Sequence, residues 1–182
     1  MVKQALADSD NRRSLEVLRL VVRQDDPLAW AALCELTPGV GATFVDYVYA
    51  TAAQTRRGFG STLLDLHRDG FPNGPASSRR MVPVITEVLA WLNAHPPPEE
   101  QPDEGWGTWM VNLAGDSIVP SFTPELAEIL IALDELSESG STALGRYLNQ
   151  VQPLGSDLAA AREDGVRFMT MTSSKGSRCK PP

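Results

Sequence analysis

Apolar residues recur at helical spacing along most of this chain. Over 11–23, Leu15, Leu18 and Val22 share one stripe, widened by Val17 and Val21. Gln24-Asp25-Asp26-Pro27 ends that segment, and Asp26 stands where it would cap a second helix with Pro27 at its first position. The second helix carries Leu28, Trp30, Leu33 and Leu36 and stops at Pro38-Gly39-Val40-Gly41. Phe44, Tyr47, Val48 and Thr51 then resume the helical period, predicting a third helix from about Ala42 to Gln54. Arg56-Arg57-Gly58-Phe59-Gly60 breaks the pattern. Ser61 is expected to cap a short helix holding Leu63, Leu64 and Leu66, with His67 near its end as a surface residue. Gly70, Pro72, Asn73, Gly74 and Pro75 mark residues 69–77 as a loop.

The strongest periodicity follows. Met81, Val84, Ile85, Val88, Leu89 and Leu92 line one face, flanked by Trp91, and His95-Pro96-Pro97-Pro98 stops the run. Residues 96–105 are rich in proline and acids and read as a loop, followed by Trp106, Trp109, Met110, Val111 and Leu113 as a short helix or an irregular plug. Thr123-Pro124 opens a helix with Leu126, Ile129, Leu130, Leu133 and Leu136 on one face, through Glu138. Further helices are expected at Ser141–Val151 and Asp157–Glu163, and Val166-Arg167-Phe168-Met169-Thr170-Met171 reads as a buried strand. The fold class predicted is mainly α: an irregular multi-helix domain with a helix-hairpin-helix-like element and a short C-terminal strand. The division expected is a helical domain over 1–165 and a strand-and-loop stub over 166–182.

Composition sharpens this picture only through charge. The chain has 182 residues, 42% hydrophobic and 21% charged, with net charge −7. That balance excludes a protein that coats nucleic acid by bulk attraction. The distribution is uneven, however. Residues 1–80 carry 10 basic against 9 acidic side chains, residues 81–165 carry 2 against 14, and residues 166–182 carry 4 basic and none acidic. The first block and the tail are the parts able to meet an anion; the middle block suits solvent or a basic partner. No apolar run is long enough for a membrane span, and the N-terminus lacks a signal-like apolar stretch. Cys34 and Cys179 form no disulfide framework, and with His67 and His95 they show no metal-ligand spacing. A cytoplasmic location and no membrane partner are expected.

Catalytic motifs are missing from the sequence. There is no Gly-x-x-x-x-Gly-Lys-Ser/Thr loop, Gly-x-Ser-x-Gly elbow, His-Glu-x-x-His helix or Cys-x-x-Cys pair. Glu99-Glu100 and Asp103-Glu104 sit among prolines, which fits a solvated loop better than a carboxylate pair held across a cleft. The expectation is a chain with no catalytic residue, metal site or cofactor site of its own. Two segments nevertheless carry binding chemistry. The bend Thr37-Pro38-Gly39-Val40-Gly41 lies between two helices; its backbone N–H groups, at the start of the third helix, suit a phosphate because they lack helical acceptors and sit at the positive dipole end. The same glycines would equally serve as a connector permitting close helix packing. In the tail, Thr170, Thr172, Ser174, Lys175 and Gly176 offer hydroxyls, a cation and a flexible backbone at a strand's end, a set that grips a phosphodiester without reading bases.

Together these segments suggest a family. Val166 to Gly176 resembles motif V of UvrD/Rep-type superfamily-1 ATP-dependent DNA helicases. Leu15 to Tyr49 resembles the start of their 2B subdomain, where a leucine-rich helix, an Asn-Pro-x-Asp turn, a short helix, Gly-Ile-Gly and another helix follow in order. Here Leu18 to Asp26 and Pro38-Gly39-Val40-Gly41 occupy those places. Residues of about 55–140 carry little resemblance, as expected of a variable insertion. The resemblance implies a 2B region, normally inserted in the second RecA-like motor domain just before motif V, with a stub of that motor. It implies sequence-independent DNA contact near the single-strand/duplex junction by Gly39, Val40 and Gly41, and contact along the single-strand path by the motif V residues. It implies the rest of the helicase motor as partner, with ATP and magnesium belonging to the parent enzyme. Two departures stand out: Thr172 lies where the family often has His, and Ser177-Arg178 replaces Leu-Glu after the glycine. The competing expectation is an acidic protein-interaction module in which the Pro-Gly-Val-Gly bend is purely structural.

Overall fold

Two aspartates start two successive helices. Asp8 accepts from the N–H groups of Asp10 and Asn11 (both 3.0 Å) and begins α1, Ser9–Val22. Asp26 does the same for Leu28 and Ala29 (2.9 and 3.0 Å) and begins α2, Pro27–Leu36, with the proline at its first turn. Each carboxylate satisfies donors that a helix start leaves without a partner and complements the positive dipole end. The computed structural model describes residues 5, 8–136, 144, 145, 147 and 148, the side chains of 135 and 136 excepted. Within them, α3 runs Ala42–Thr55, α4 Phe59–Arg68, α5 Ser78–Ala94, α6 Trp106–Leu113 and α7 Pro124–Leu136. The described residues are mainly helical and contain no strand. The helix expected at Asp157–Glu163, the strand over 166–171 and the loop after it lie outside the described residues, as does most of the helix expected at Ser141–Val151.

Helix α1 packs on α2 and α5, α2 on α4 and α3, α3 on α4, and α6 on α7. One cluster of apolar side chains runs through them, with Trp30, Phe44, Leu63, Ile85, Met110 and Leu126 fully enclosed. The buried face of α1 differs from the expected stripe. Val22 is 48% exposed and Leu15 is only partly buried, whereas Asn11 and Ser14 are fully buried beside Val17, Leu18 and Val21. A hydrophobicity stripe misplaces this face because two of its core positions are polar. Burying them requires hydrogen bonds. Asn11 supplies three: its amide donates to the Ala5 carbonyl (2.6 Å) and the Thr123 hydroxyl (3.0 Å), and its oxygen accepts from the Thr123 N–H (2.9 Å). Ser14 donates to the Pro120 carbonyl at 2.7 Å. These bonds seat the loop before α7 on α1.

Three other elements depart in detail. Helix α4 begins at Phe59 on Gly58; Ser61 is inside it and donates to the Asp25 carboxylate at 2.8 Å. A Cβ at Gly60 would overlap the Asp25 carbonyl oxygen, so this glycine lets α4 approach the α1–α2 connection. Trp106 to Leu113 is a helix, not a plug: the Asp134 carboxylate accepts from the Gly107 N–H (2.9 and 3.0 Å) and the Thr108 N–H (3.3 Å) at its start. Trp91 is buried, and its indole N–H donates to Asp116 at 2.8 Å. No helix among the described residues is long and apolar enough to cross a membrane.

Candidate nucleic-acid interface

The α2–α3 connection is built from the sequence upward. Pro38 fixes φ and lacks an N–H, so α2 cannot continue through it. Gly39 takes φ +74°, and the Val40 N–H donates to the Thr37 carbonyl at 3.1 Å. Proline second and a positive-φ glycine third is the signature of a type II turn. Thr37 is buried; its N–H donates to the Cys34 carbonyl (3.3 Å) and its hydroxyl to the Leu33 carbonyl (2.7 Å). Val40 is 6% exposed and anchors the turn in the core. Thr37 and the Val40 side chain and N–H are thus engaged internally, and they hold the bend in shape.

What faces outward is the start of α3. Gly41 caps this helix with extended backbone (φ −94°, ψ −176°) and no side-chain hydrogen bond. Gly41, Ala42 and Thr43 are exposed, and their N–H groups have no acceptor among the described residues. The Phe44 N–H turns back to the Gly41 carbonyl at 3.0 Å. Asp8 and Asp26 cap the starts of α1 and α2, whereas α3, like α4 on Gly58, begins on a glycine without a side-chain cap; of these two, α3 has its first residues exposed, while Phe59 and Gly60 of α4 are buried. Open amides at a positive dipole end hold an anion by charge-assisted hydrogen bonds.

A side chain distant in sequence reaches the same bend. A Cβ built at Gly39 would overlap the Arg80 guanidinium, with Cζ 2.7 Å away. Arg80, in the first turn of α5, therefore lies across the glycine's open face. Arg79 and Arg80 are both exposed, and neither forms an ion pair or side-chain hydrogen bond among the described residues. Nothing in the sequence pattern singles out this arginine; only the tertiary path of α5 brings it to the bend. Of the other arginines in the first block of the chain, Arg13 donates to the Ile118 carbonyl at 3.4 Å and Arg57 pairs with Asp65, while Arg56 is exposed. Thr170, Thr172, Ser174, Lys175 and Gly176 lie outside the described residues.

Elsewhere the chemistry is structural. Burial, and then the neighbouring Glu35, push the Cys34 thiol up to about 12, which leaves it a core residue and no nucleophile. His67 is more enclosed than the sequence suggests: its Nδ1 is buried without a partner, Nε2 lies 3.4 Å from the Thr86 hydroxyl, and burial lowers its pKa. Among the described residues no three His, Cys, Asp or Glu side chains converge as metal ligands. Two open clefts, of about 380 and 360 Å³, lie beside the loop before α5 and between the ends of α3 and α4; neither includes the bend. Comparison with protein-family models, curated proteins and solved structures finds no match.

Proposed function

We propose that this chain is a DNA-binding accessory piece of a UvrD/Rep-like ATP-dependent helicase, and that the α2–α3 bend is a helix-hairpin-helix-like grip on the phosphate backbone. The observation that carries the reading is the exposed start of α3, where the N–H groups of Gly41, Ala42 and Thr43 have no internal acceptor. A phosphodiester supplies the missing acceptors and matches the dipole, and it does so without reading bases. Gly41, with nothing within 4 Å of where a Cβ would stand, leaves the backbone bare enough for a strand to approach. In the parent enzyme the piece holds duplex near the junction while motif V, in the 166–182 segment, follows the single strand. The motor, ATP and magnesium belong to that parent, and the setting is cytoplasmic.

The test is binding of the full chain to a forked DNA, followed by fluorescence anisotropy across a salt series. The reading requires affinity that falls as salt rises, with little dependence on base sequence. Absence of binding at low salt, or binding indifferent to salt, overturns it. Absence of DNA binding combined with salt-sensitive capture of a basic protein would favour the alternative. In that case the exposed Glu99, Glu100, Asp103 and Glu104 form the docking surface and the bend is a connector.

A further inference from the structure

A cleft of about 380 Å³ lies where the loop over 69–77 meets α5, walled by Phe71, Asn73 and Gly74 of the loop and by Ser78, Arg79 and Val82 of the helix. The loop wall is held from behind. The Phe71 ring packs on Phe44 with centroids 5.5 Å apart, the Tyr47 hydroxyl donates to the Pro72 carbonyl at 2.7 Å, and the Gly74 N–H donates to the Phe71 carbonyl at 2.9 Å. These contacts keep Phe71 and Asn73 at φ +54° and +57°, a left-handed backbone that a bulky residue adopts only when its surroundings compel it.

Two donors in this lining have nothing to bind. Ser78 is 6% exposed, and its buried Oγ has no partner among the described residues. That oxygen faces the bare Cα of Gly74 across the cleft wall: a Cβ built there would stand 2.6 Å from it. Native proteins rarely leave a buried hydroxyl unpaired, because its lost hydration is not repaid. Arg79 is exposed and forms no ion pair among the described residues. The lining carries this one cation and no carboxylate, whereas the cleft between the ends of α3 and α4 sets Asp65 and Asp69 against its arginines. The first amides of α5 are already taken: the Ser78, Arg79 and Arg80 N–H groups donate to the Pro75, Ala76 and Ser77 carbonyls at 2.9, 3.4 and 3.0 Å. Side chains must therefore do the holding. A charged fork, a hydroxyl and the Asn73 amide, next to the apolar Val82, are the donors an oxyanion on a small organic body requires.

We infer that this cleft binds the phosphate or carboxylate head group of a small molecule, with Arg79 supplying the charge and Ser78 the hydroxyl donor. Its volume lies at the lower end of the range for ligand pockets. The site owes nothing to the proposed DNA grip, and whether forked DNA binds does not decide it.

The full chain is titrated with sodium phosphate and, separately, with sodium acetate, chloride keeping the ionic strength constant. Amide NMR and thermal melting are the readouts. At least one anion should give saturable shifts centred on residues 73–79, with a dissociation constant on the order of 1–10 mM, within reach of a ligand of so few atoms. The anion that saturates names the head group. Arg79→Gln should weaken binding about tenfold, as for a hydrogen-bonded charge. Ser78→Ala separates ligand from scaffold. Removing an unpaired hydroxyl should leave the ligand-free Tm unchanged or raise it, while anion binding weakens about fivefold. A Ser78→Ala protein that melts below wild type assigns the hydroxyl to the fold and overturns the inference. Shifts that fail to saturate with either anion, or that survive Arg79→Gln undiminished, overturn it as well.

Discussion

Gly41 allows stability and binding to be driven in opposite directions by one substitution. It is the N-cap of α3, its backbone is already extended, a Cβ there meets nothing within 4 Å, and no side chain satisfies the donors beyond it. An aspartate at this position has room to turn its carboxylate onto the Thr43 and Phe44 N–H groups, the second and third positions that Asp8 and Asp26 serve in α1 and α2. Three terms favour Gly41→Asp in the folded state. Capping is worth a few tenths of a kcal/mol over glycine, the charge–dipole term about 0.5 kcal/mol at low salt, and the lost freedom of the unfolded chain about 0.5 kcal/mol. The sum, about 1 kcal/mol, corresponds to a rise in Tm of about 3 °C for a chain of this size. The same carboxylate occupies the Thr43 N–H, one of the donors offered to phosphate, and puts a negative charge where DNA must approach. DNA affinity should fall at least about tenfold, equal to about 1.4 kcal/mol. Calorimetry or thermal melting and anisotropy on the same preparation measure the two effects. Gly41→Ser should show the stabilisation with a smaller binding loss, since it adds an acceptor without a charge. A Gly41→Asp variant that is more stable and binds DNA as well as wild type would refute the assignment of phosphate to these amides.

The remaining predictions concern the scaffold. Asn11→Ala removes one hydrogen bond to the Ala5 carbonyl and two that tie α1 to Thr123 before α7, and leaves the Thr123 N–H short of its acceptor, a loss of about 2–4 kcal/mol by chemical denaturation. Gly60→Ala forces a Cβ onto the Asp25 carbonyl oxygen, a backbone atom that cannot swing aside, and should cost about 2 kcal/mol or more. Arg56 ends α3 with φ +55°, so Arg56→Gly should stabilise by about 1 kcal/mol. Asp116 is subject to burial, which raises its pKa, but the Val119 and Ile118 N–H groups and the Trp91 indole outweigh this and hold it below the usual value. A folded pKa below the unfolded one gives stability that is complete above the unfolded pKa and is lost as pH falls through the folded one. Below about pH 4, the ordinary aspartate range, the wild type should therefore lose stability faster than Asp116→Asn, measured by melting over a pH series.

The sequence reveals helices better than it reveals faces. Asp26-Pro27 locates the start of α2, and the spacing of Met81, Ile85 and Val88 locates the buried side of α5, because each signal is local and acts through one helix. The face of α1 was not legible. Asn11 and Ser14 are polar and read as solvent positions, yet they are buried because Thr123 and Pro120, more than a hundred residues later, supply their partners. The start of α4 was misplaced for a related reason: Ser61 resembles a cap, but its hydroxyl finds Asp25 on another element. The bend itself was visible as Pro-Gly-Val-Gly, but not which glycine takes positive φ: Gly39 does, and Gly41 is extended. The split of labour within it was not. Whether Thr37 and Val40 face inward depends on the core beneath them, and the presence of Arg80 depends on where α5 crosses the bend.

A chain of net charge −7 is an unlikely DNA-binder by total charge, but total charge does not set the field at one bend. Beyond a Debye length, about 8–10 Å at physiological salt, exposed charges are largely screened. The acids at Glu99, Glu100, Asp103, Glu104, Glu125 and Glu128 are exposed and belong to α7 and the loop before α6, whereas Arg80, in the first turn of α5, reaches the bend. Under the proposed function this partition has a mechanical consequence. A uniformly basic piece would bind duplex on any face, and a helicase needs its accessory part to hold the strand in one orientation. Exposed acids on α7 and the loop before α6 would repel DNA there and favour approach at the bend. Replacing Glu99, Glu100, Asp103 and Glu104 together by Gln should therefore raise affinity for DNA less than it raises binding to unforked duplex at many positions. Footprinting reads this as a blurred protection pattern at unchanged or slightly tighter binding. A footprint as sharp as that of wild type would mean that the acids play no part in orientation, and that the bend alone sets how the strand lies.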